Sequence, residues 1–168
     1  GFEAVIGGAG KDAITGDSSG NTLSGGAGDD VINGLKGDDF IFGGAGNDMI
    51  TGGIGHDVVA GGDGADTFMF NLVGDFAKGA VFDEITDFSH LEGDRIDVSA
   101  IDAIKGGANN AFTFIGGGAF NGVAGQLHYN ADGAGGVTVS GDINGDKVAD
   151  FNLTVDSVTL LDASDFVL

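Results

Sequence analysis

A nine-residue glycine repeat constrains the fold of this chain more than any other feature of its sequence. Cut every nine residues from Gly7, residues 7–69 give seven units without insertion: GGAGKDAIT, GDSSGNTLS, GGAGDDVIN, GLKGDDFIF, GGAGNDMIT, GGIGHDVVA and GGDGADTFM. Each unit begins with Gly, carries Asp or Asn at position 6 and has an apolar residue at position 8. A unit this short cannot bury its own apolar side chain, so tandem copies are expected to stack into a solenoid.

Alternate units differ, which adds a period of eighteen. Units one, three and five begin GGAG, whereas units two, four and six begin GDSS, GLKG and GGIG. We therefore expect coils of two short strands and two turns, in which units i and i+2 stack. One predicted stack holds Asp12, Asp30, Asp48 and Asp66. The other is predicted to hold Glu3, Asn21, Asp39, Asp57 and Asp75.

The repeat frame extends beyond these seven units in both directions. Gly1–Ile6 read as positions 4 to 9 of an earlier unit, which predicts that the chain is a piece of a longer protein. Downstream, the nine-residue glycine period stops after Phe70, but the frame still places Asp75 at position 6.

Each unit is expected to form a six-residue turn and a three-residue strand whose central apolar side chain points inward. Glycine adopts positive φ without strain, which lets the carbonyl groups of a turn face one point. Two stacked turns then offer two carboxylates and several carbonyls, an oxygen set that favours Ca²⁺ over Mg²⁺. The chain has 26 acidic and 6 basic residues, a net charge of −20, which bound cations would offset. Four gaps in the stack from Glu3 and three in the other predict about seven Ca²⁺ ions.

The tandem GGxGxDxUx pattern, where U is a large aliphatic residue, resembles the RTX or haemolysin-type calcium-binding repeat, a parallel β-roll. The remainder resembles the C-terminal region of serralysin-family secreted metalloproteases through Glu3–Gly8, Asp83–Phe88 (DEITDF) and Gly93–Ser99 (GDRIDVS). This resemblance implies that Asp75, Asp83 and Asp94 close the last turns of the roll as metal ligands. The full set of candidate metal ligands is Glu3, Gly8, Gly10, Asp12, Asn21, Gly26, Gly28, Asp30, Gly37, Asp39, Gly44, Gly46, Asp48, Gly53, Gly55, Asp57, Gly62, Gly64, Asp66, Asp75, Asp83 and Asp94.

The fold class expected is all-β: an RTX β-roll over residues 1–78 and a small antiparallel β-sandwich cap over residues 79–168. Strands in the cap are predicted over 111–115, 126–129, 137–140 and 151–155. The sequence Asp142-x-Asn144-x-Asp146-x-x-x-Asp150 spaces oxygen side chains like the start of an EF-hand loop. Because Lys147 and Leu153 stand where that loop needs Gly and Glu, an acidic hairpin turn is the alternative.

Composition excludes several functions. The six basic residues are scattered singly, which argues against nucleic acid as a partner, and no apolar run is long enough to span a membrane. There is no Cys or HExxH, and the one G-x-S-x-G match, GDSSG at residues 16–20, lies within the second repeat unit. This chain is therefore predicted not to be an enzyme.

The end of the chain completes the functional prediction. Asp165-Phe166-Val167-Leu168 resembles the C-terminal type I secretion signal of the serralysin family. The resemblance implies a monomeric, secreted, extracellular calcium-binding module. It would be exported by the type I machinery of a Gram-negative bacterium and linked to an upstream catalytic or binding domain. The alternatives are an RTX adhesion or polysaccharide-binding module, for which Phe40, Phe42 and Phe120 are candidate aromatics, and the tail of an RTX lipase.

Overall fold

Two facing parallel β-sheets are built from alternate repeat units. The computed structural model describes residues 4–76, 82–104, 106 and 109–168. The first sheet takes its roll strands from β1 (Ala4–Ala9), β3 (Thr22–Ala27), β5 (Phe40–Ala45), β7 (Val58–Asp63) and β9 (Asp83–Ile85). The second sheet contains β2 (Ala13–Thr15), β4 (Val31–Lys36), β6 (Met49–Ile54), β8 (Thr67–Met69), β10 (Arg95–Asp97) and β15 (Phe166–Val167).

The strand register confirms the eighteen-residue period. Leu23 lies beside Ile41, and Ile41 beside Val59, because each coil returns the chain to the same sheet after two units. In the second sheet Ile14, Ile32, Ile50 and Phe68 follow one another in the same way. These position-8 side chains are all buried, so the core of the roll is one stack of apolar side chains between the two sheets.

Most strands are longer than the three residues expected. β1 and β3 to β7 have six residues, because the glycines that open the next turn also pair in register, as Gly26 does with Gly44. The ladder continues into the turn through bonds such as that from Gly28 N–H to the Ala45 carbonyl, 2.7 Å. β2 remains short where it meets the irregular second unit. Backbone hydrogen bonds between successive coils therefore continue from the strands into the turns.

The C-terminal strands extend the first sheet of the roll. They are β11 (Thr113–Phe114), β12 (Gln126–Ala131), β13 (Val137–Asp142) and β14 (Phe151–Val155). β12, β13 and β14 are antiparallel, and β14 then pairs parallel with β9. The expected antiparallel strands are present, but they join the edge of the roll to give a nine-stranded sheet. Both sheets thus continue past residue 78, the boundary predicted between roll and cap.

Aromatic rings fill the interior where the repeat ends. The ring of Phe76 stacks on Phe70, with centroids 4.4 Å apart, and on Phe151, with centroids 4.1 Å apart. Phe112 meets Phe151 edge-on. These side chains cover the last aliphatic rungs and join the roll to the antiparallel strands in one core.

Replacing Ile41 with Ala is expected to lower the free energy of unfolding by about 2–5 kcal/mol, because the side chain is fully buried and leaves a cavity. The neighbouring Phe40→Ala is the matched control, since Phe40 is 52% exposed and its loss should change that free energy by about 0.5 kcal/mol or less. Urea unfolding in calcium-containing buffer measures both. Equal losses in the two variants would contradict an interior built on position 8.

Candidate metal columns

Position-6 side chains form two hydrogen-bonded columns, one at each row of turns. In the first column the backbone N–H of each of Asp12, Asp30, Asp48 and Asp66 donates to the carboxylate Oδ1 of the next rung. The distances are 2.7, 2.8, 2.8 and 2.9 Å, and the last acceptor is Asp94. The second column links Asn21, Asp39, Asp57 and Asp83 in the same way, at 2.7, 2.9 and 2.9 Å. The backbone of each turn is thus tied to the side chain of the next coil.

The last residue of the second column differs from the one predicted from the sequence. Asp83, not Asp75, follows Asp57 in the second column, so the expectation from the repeat frame that Asp75 continues this stack is wrong. Where the nine-residue period has ended, the chain needs 26 residues rather than 18 to return to this column. Asp75 instead ends a short 3-10 turn, Val73–Asp75, where its Oδ2 accepts the N–H groups of Asn71 and Leu72. Glu3 lies outside the described residues.

One oxygen of each central carboxylate is buried without a hydrogen-bond donor. These atoms are the Oδ2 atoms of Asp30, Asp39, Asp48, Asp57 and Asp66. Burying a carboxylate oxygen without a partner is unfavourable unless a proton or a cation compensates it. Five equivalent uncompensated oxygens therefore indicate sites for positive charge along both columns.

The glycine that opens each unit borders this oxygen. A Cβ atom on Gly25 would collide with the Asp30 Oδ2 atom and lie 2.6 Å from the carbonyl oxygen of Gly43 in the next coil. Gly43 has the same relation to Asp48 and to the Gly61 carbonyl. The carboxylate oxygen and a backbone carbonyl oxygen thus lie beside the same glycine, and a larger residue there would displace both.

The turn glycines have the conformation that the predicted ligand geometry requires. All eleven glycines in the predicted ligand set have positive φ, between 100° and 150°. Glycine is replaced at three of these turn positions, by Asp17 and Ser19 in the second unit and by Leu35 in the fourth. Leu35 has φ 77° and is 42% exposed, a backbone conformation that is strained for a bulky residue, yet it pairs in register with Gly53.

Burial raises the pKa of two column carboxylates, Asp57 and Asp66, well above the ordinary value. The pKa of Asp57 rises from 3.8 to about 7 through burial, with further contributions from the charges of Asp39, Asp38 and Asp75. The pKa of Asp66 also rises to about 7, through burial and the charges of Asp94, Asp48 and Asp87. A raised carboxyl pKa stabilises the folded state at low pH, and this stabilisation is lost as the pH rises through about 7. At neutral pH and above, the cation-free columns therefore oppose folding.

The donor set fits a hard cation held mainly by oxygen atoms of the backbone. Among the described residues no group of three or more His, Cys, Asp or Glu side chains is placed to hold a metal ion. A cation at a column would take one carboxylate per turn and complete its shell from glycine carbonyls. Ca²⁺ accepts six to eight such oxygens at flexible geometry. The residues present thus suit calcium, with no thiol or imidazole among them.

The acidic loop between β13 and β14 uses its oxygens for its own backbone. Asp142 Oδ1 accepts the Gly145 N–H at 2.6 Å, and its Oδ2 accepts the Lys147 N–H at 2.9 Å. Asp150 Oδ2 accepts the Ile143 N–H, and Asn144 Oδ1 accepts the Asp146 N–H. These contacts favour the acidic hairpin turn over the EF-hand-like site.

Asp87 is a residue whose role the sequence did not indicate. Its two carboxylate oxygens accept the N–H groups of Gly61 and Gly62, both at 2.9 Å. It closes the last glycine turn, where the sequence offers no further GG pair. The one signal for it was its place in the DEITDF segment.

The candidate aromatic residues for polysaccharide binding differ in exposure. Phe40 and Phe42 are exposed two residues apart on β5 and lie on the same outer face. Phe120 instead packs edge-on against His128, with ring centroids 4.2 Å apart. This leaves two of the three aromatics on an open surface.

Family comparison identifies the repeats. The family model described as RTX calcium-binding nonapeptide repeat (4 copies) matches residues 6–41 and 33–68. Residues 6–68 are RTX calcium-binding repeats. The two columns are thus made of the position-6 residues of these repeats, and Asp83 and Asp94 from the segments that follow complete them.

Solved structures with similar folds include two from Azotobacter vinelandii. The AlgE6R3 subunit of its mannuronan C5-epimerase is 25% identical, with a TM-score of 0.46, covering 97% of this chain and 81% of the subunit. The AlgE6R2 subunit is 28% identical, with a TM-score of 0.47, covering 98% of this chain and 92% of the subunit. No curated protein matches the chain. None of the helices in the described part of the chain is long and apolar enough to cross a membrane.

The Asp48→Asn variant is expected to weaken calcium binding, because it keeps the Oδ1 acceptor for the Asp30 N–H but removes the charge of the buried carboxylate. Losing one site at tenfold calcium excess corresponds to about 1.4 kcal/mol of stability. Calorimetric titration and melting in calcium measure the two effects.

Asp29→Asn is the matched control for this variant. Asp29 is exposed, and its Oδ1 also accepts an N–H from a neighbouring coil, that of Asn47. Its replacement should leave the ion count unchanged and shift stability by about 0.5 kcal/mol or less. Identical losses in both variants would show that the columns are not the calcium sites.

Proposed function

We propose that this chain is a non-catalytic module that folds when calcium fills the two columns, at the C-terminal end of a secreted protein. The five buried Oδ2 atoms without donors are the observation that carries the proposal. Bound calcium supplies the positive charge that these oxygens lack. The column residues, with Asp75 and the predicted turn glycines, are the proposed ligands.

Counting the gaps between described rungs gives a proposed number of ions. The first column has four gaps, from Asp12 to Asp94, and the second has three, from Asn21 to Asp83. One ion per gap gives 4 + 3 = 7 proposed ions. The seven gaps predicted from the sequence are a different set, because they include the gap from Glu3 to Asn21 and lack the gap from Asp66 to Asp94.

The energetics support coupling between calcium binding and folding. Without calcium, the net charge of −20 and the raised pKa values of buried carboxylates such as Asp57 oppose the folded state. Extracellular calcium modules bind with Kd of about 10⁻⁴–10⁻³ M, and each site filled at tenfold excess adds about 1.4 kcal/mol. Summed over several sites, this is comparable with the 5–15 kcal/mol that stabilises a typical domain. Calcium availability would therefore decide whether the chain is folded.

We further propose export of the unfolded chain by a type I system, with Asp165–Leu168 as the signal. RTX repeats are typical of secreted proteins, and the resemblance of residues 83–99 and of the C terminus favours a serralysin-like metalloprotease as the parent. In a calcium-poor cytoplasm the chain would remain extended enough to pass through an exporter. Calcium outside the cell would then fold it.

Circular dichroism is expected to show coil at pH 8 with EGTA and β-structure after millimolar calcium is added. This pH lies above the raised pKa of Asp57 and Asp66, about 7, so their buried charges oppose the calcium-free fold. Magnesium at the same concentration is the matched control and should fold less of the chain, because it prefers rigid octahedral sites. A chain fully folded in EGTA at pH 8 would contradict obligate coupling.

Export in a bacterium with a type I exporter tests the proposed signal. Scrambling residues 165–168 should retain the chain inside the cell, because the exporter then lacks its recognition element. The Asp48→Asn variant should still reach the medium, because export acts before calcium binds. Immunoblots of cell and medium fractions measure both. Normal export of the scrambled chain would refute the signal while leaving the calcium proposal intact.

A further inference from the structure

The last strand has few contacts of its own. β15 contains two residues and pairs with β10 through Ile96 and Phe166 and through Asp97 and Val167. The Val98 N–H donates to the Val167 carbonyl at 3.0 Å, and the Phe166 ring packs against Phe114 with centroids 4.9 Å apart. Leu161 and Phe166 are also buried in the core, so any polar contact of this segment adds to apolar packing.

A histidine bridge supplies such contacts. His90 Nδ1 lies 2.6 Å from Asp165 Oδ1, and His90 Nε2 lies 2.8 Å from the Leu160 carbonyl oxygen. Both partners belong to the C-terminal segment, which here denotes residues 160–168. The imidazole itself belongs to the loop after β9, so the bridge ties the C-terminal segment to the roll.

The bridge requires a doubly protonated imidazole. A carbonyl oxygen can only accept, so Nε2 must carry a hydrogen. Asp165 Oδ2 accepts the Asp162 N–H at 2.6 Å, and a carboxylate oxygen can only accept, so Nδ1 must donate to the Oδ1 of a carboxylate as well. Asp165 is buried, whereas the His90 side chain is 41% exposed and can exchange its proton with water.

The surroundings of His90 favour the charged form. Partial burial lowers its pKa, but the Leu160 carbonyl and the Asp165 carboxylate raise it, with a further contribution from Asp162, so the pKa is raised above 6.5. The remaining titratable group at this cavity is Tyr129 from β12. Phe88 covers the ring edge-on at 5.6 Å.

We propose that His90 is a proton-dependent clamp that holds the C-terminal segment on the roll and releases it when the imidazole loses a proton. Deprotonation breaks the Nδ1 bond and turns a nitrogen lone pair toward the buried Asp165 carboxylate. Because the folded-state pKa is raised, the stabilisation is complete below pH 6.5 and is lost as the pH rises through the folded-state value. The inference does not depend on a signal in this segment or on an exporter.

The loop that carries His90 is hydrogen-bonded to the first column. The Ser89 N–H, next to His90, donates to Asp94 Oδ2 at 2.9 Å, while Asp94 Oδ1 accepts the Asp66 N–H. The backbone next to His90 is therefore tied to the end of the first column. Movement on deprotonation is expected in the C-terminal segment and not in the loop.

Nuclear magnetic resonance on the calcium-saturated chain tests the clamp between pH 5.5 and 9. The His90 ring and the Val98 and Val167 amides should titrate with one shared midpoint above 6.5. Over the same range, hydrogen exchange of the Val98 amide should accelerate more than the intrinsic effect of pH on exchange. The extra acceleration can reach tenfold for each unit by which the pKa of His90 differs between the docked and the released segment. Separate midpoints, or amides that do not respond, would overturn the proposal.

Variants distinguish the clamp from a general pH effect. Asp165→Asn should lower the His90 midpoint toward 6.5, and His90→Gln should abolish the amide transition. His56→Gln is the matched control, and its amide transition should equal that of the unmodified chain. A transition that persists in His90→Gln would assign it to another group. The titration of the unmodified chain remains decisive if a variant fails to fold.

Discussion

The bond between a backbone N–H and the carboxylate of the next coil is the constraint on which the structure depends. It fixes the rise from coil to coil, uses one oxygen of each Asp and leaves the other buried beside a glycine. The same contact therefore sets the stacking distance of the turns and creates the demand for positive charge. Structure and ion binding cannot be separated here, because removing the cation leaves buried charges in the element that holds the coils together.

Much of the roll could be predicted because its period is simple. The inward apolar residues, the two stacks and the turn glycines all follow from counting in nines and eighteens, and the register confirms this count. The repeat frame predicted Asp75 as the next residue of the second column, which is wrong because the residues between Phe70 and Asp83 no longer follow the nine-residue period. Only the resemblance of the DEITDF segment pointed to Asp83, and nothing in the frame could have done so.

In the C-terminal half, the strands could be predicted from the sequence, but their pairing partners could not. Alternating residues such as Phe151 and Leu153 were enough to locate β14. They could not show that this strand would pair with β9, because pairing partners depend on long-range contacts that no local pattern encodes. The His90 bridge to Asp165 joins residues 75 positions apart and was likewise invisible in the sequence.

The alternation of units between two sheets also governs how such a chain can change in length. Loss or gain of eighteen residues within the roll returns every later unit to its own sheet and column. Loss of nine residues before Asp57 would instead stack the earlier units on the other column, although Asp57 and Asp66 would keep Asp83 and Asp94 as partners. Only a change by whole coils leaves the GGAG units stacked on one another.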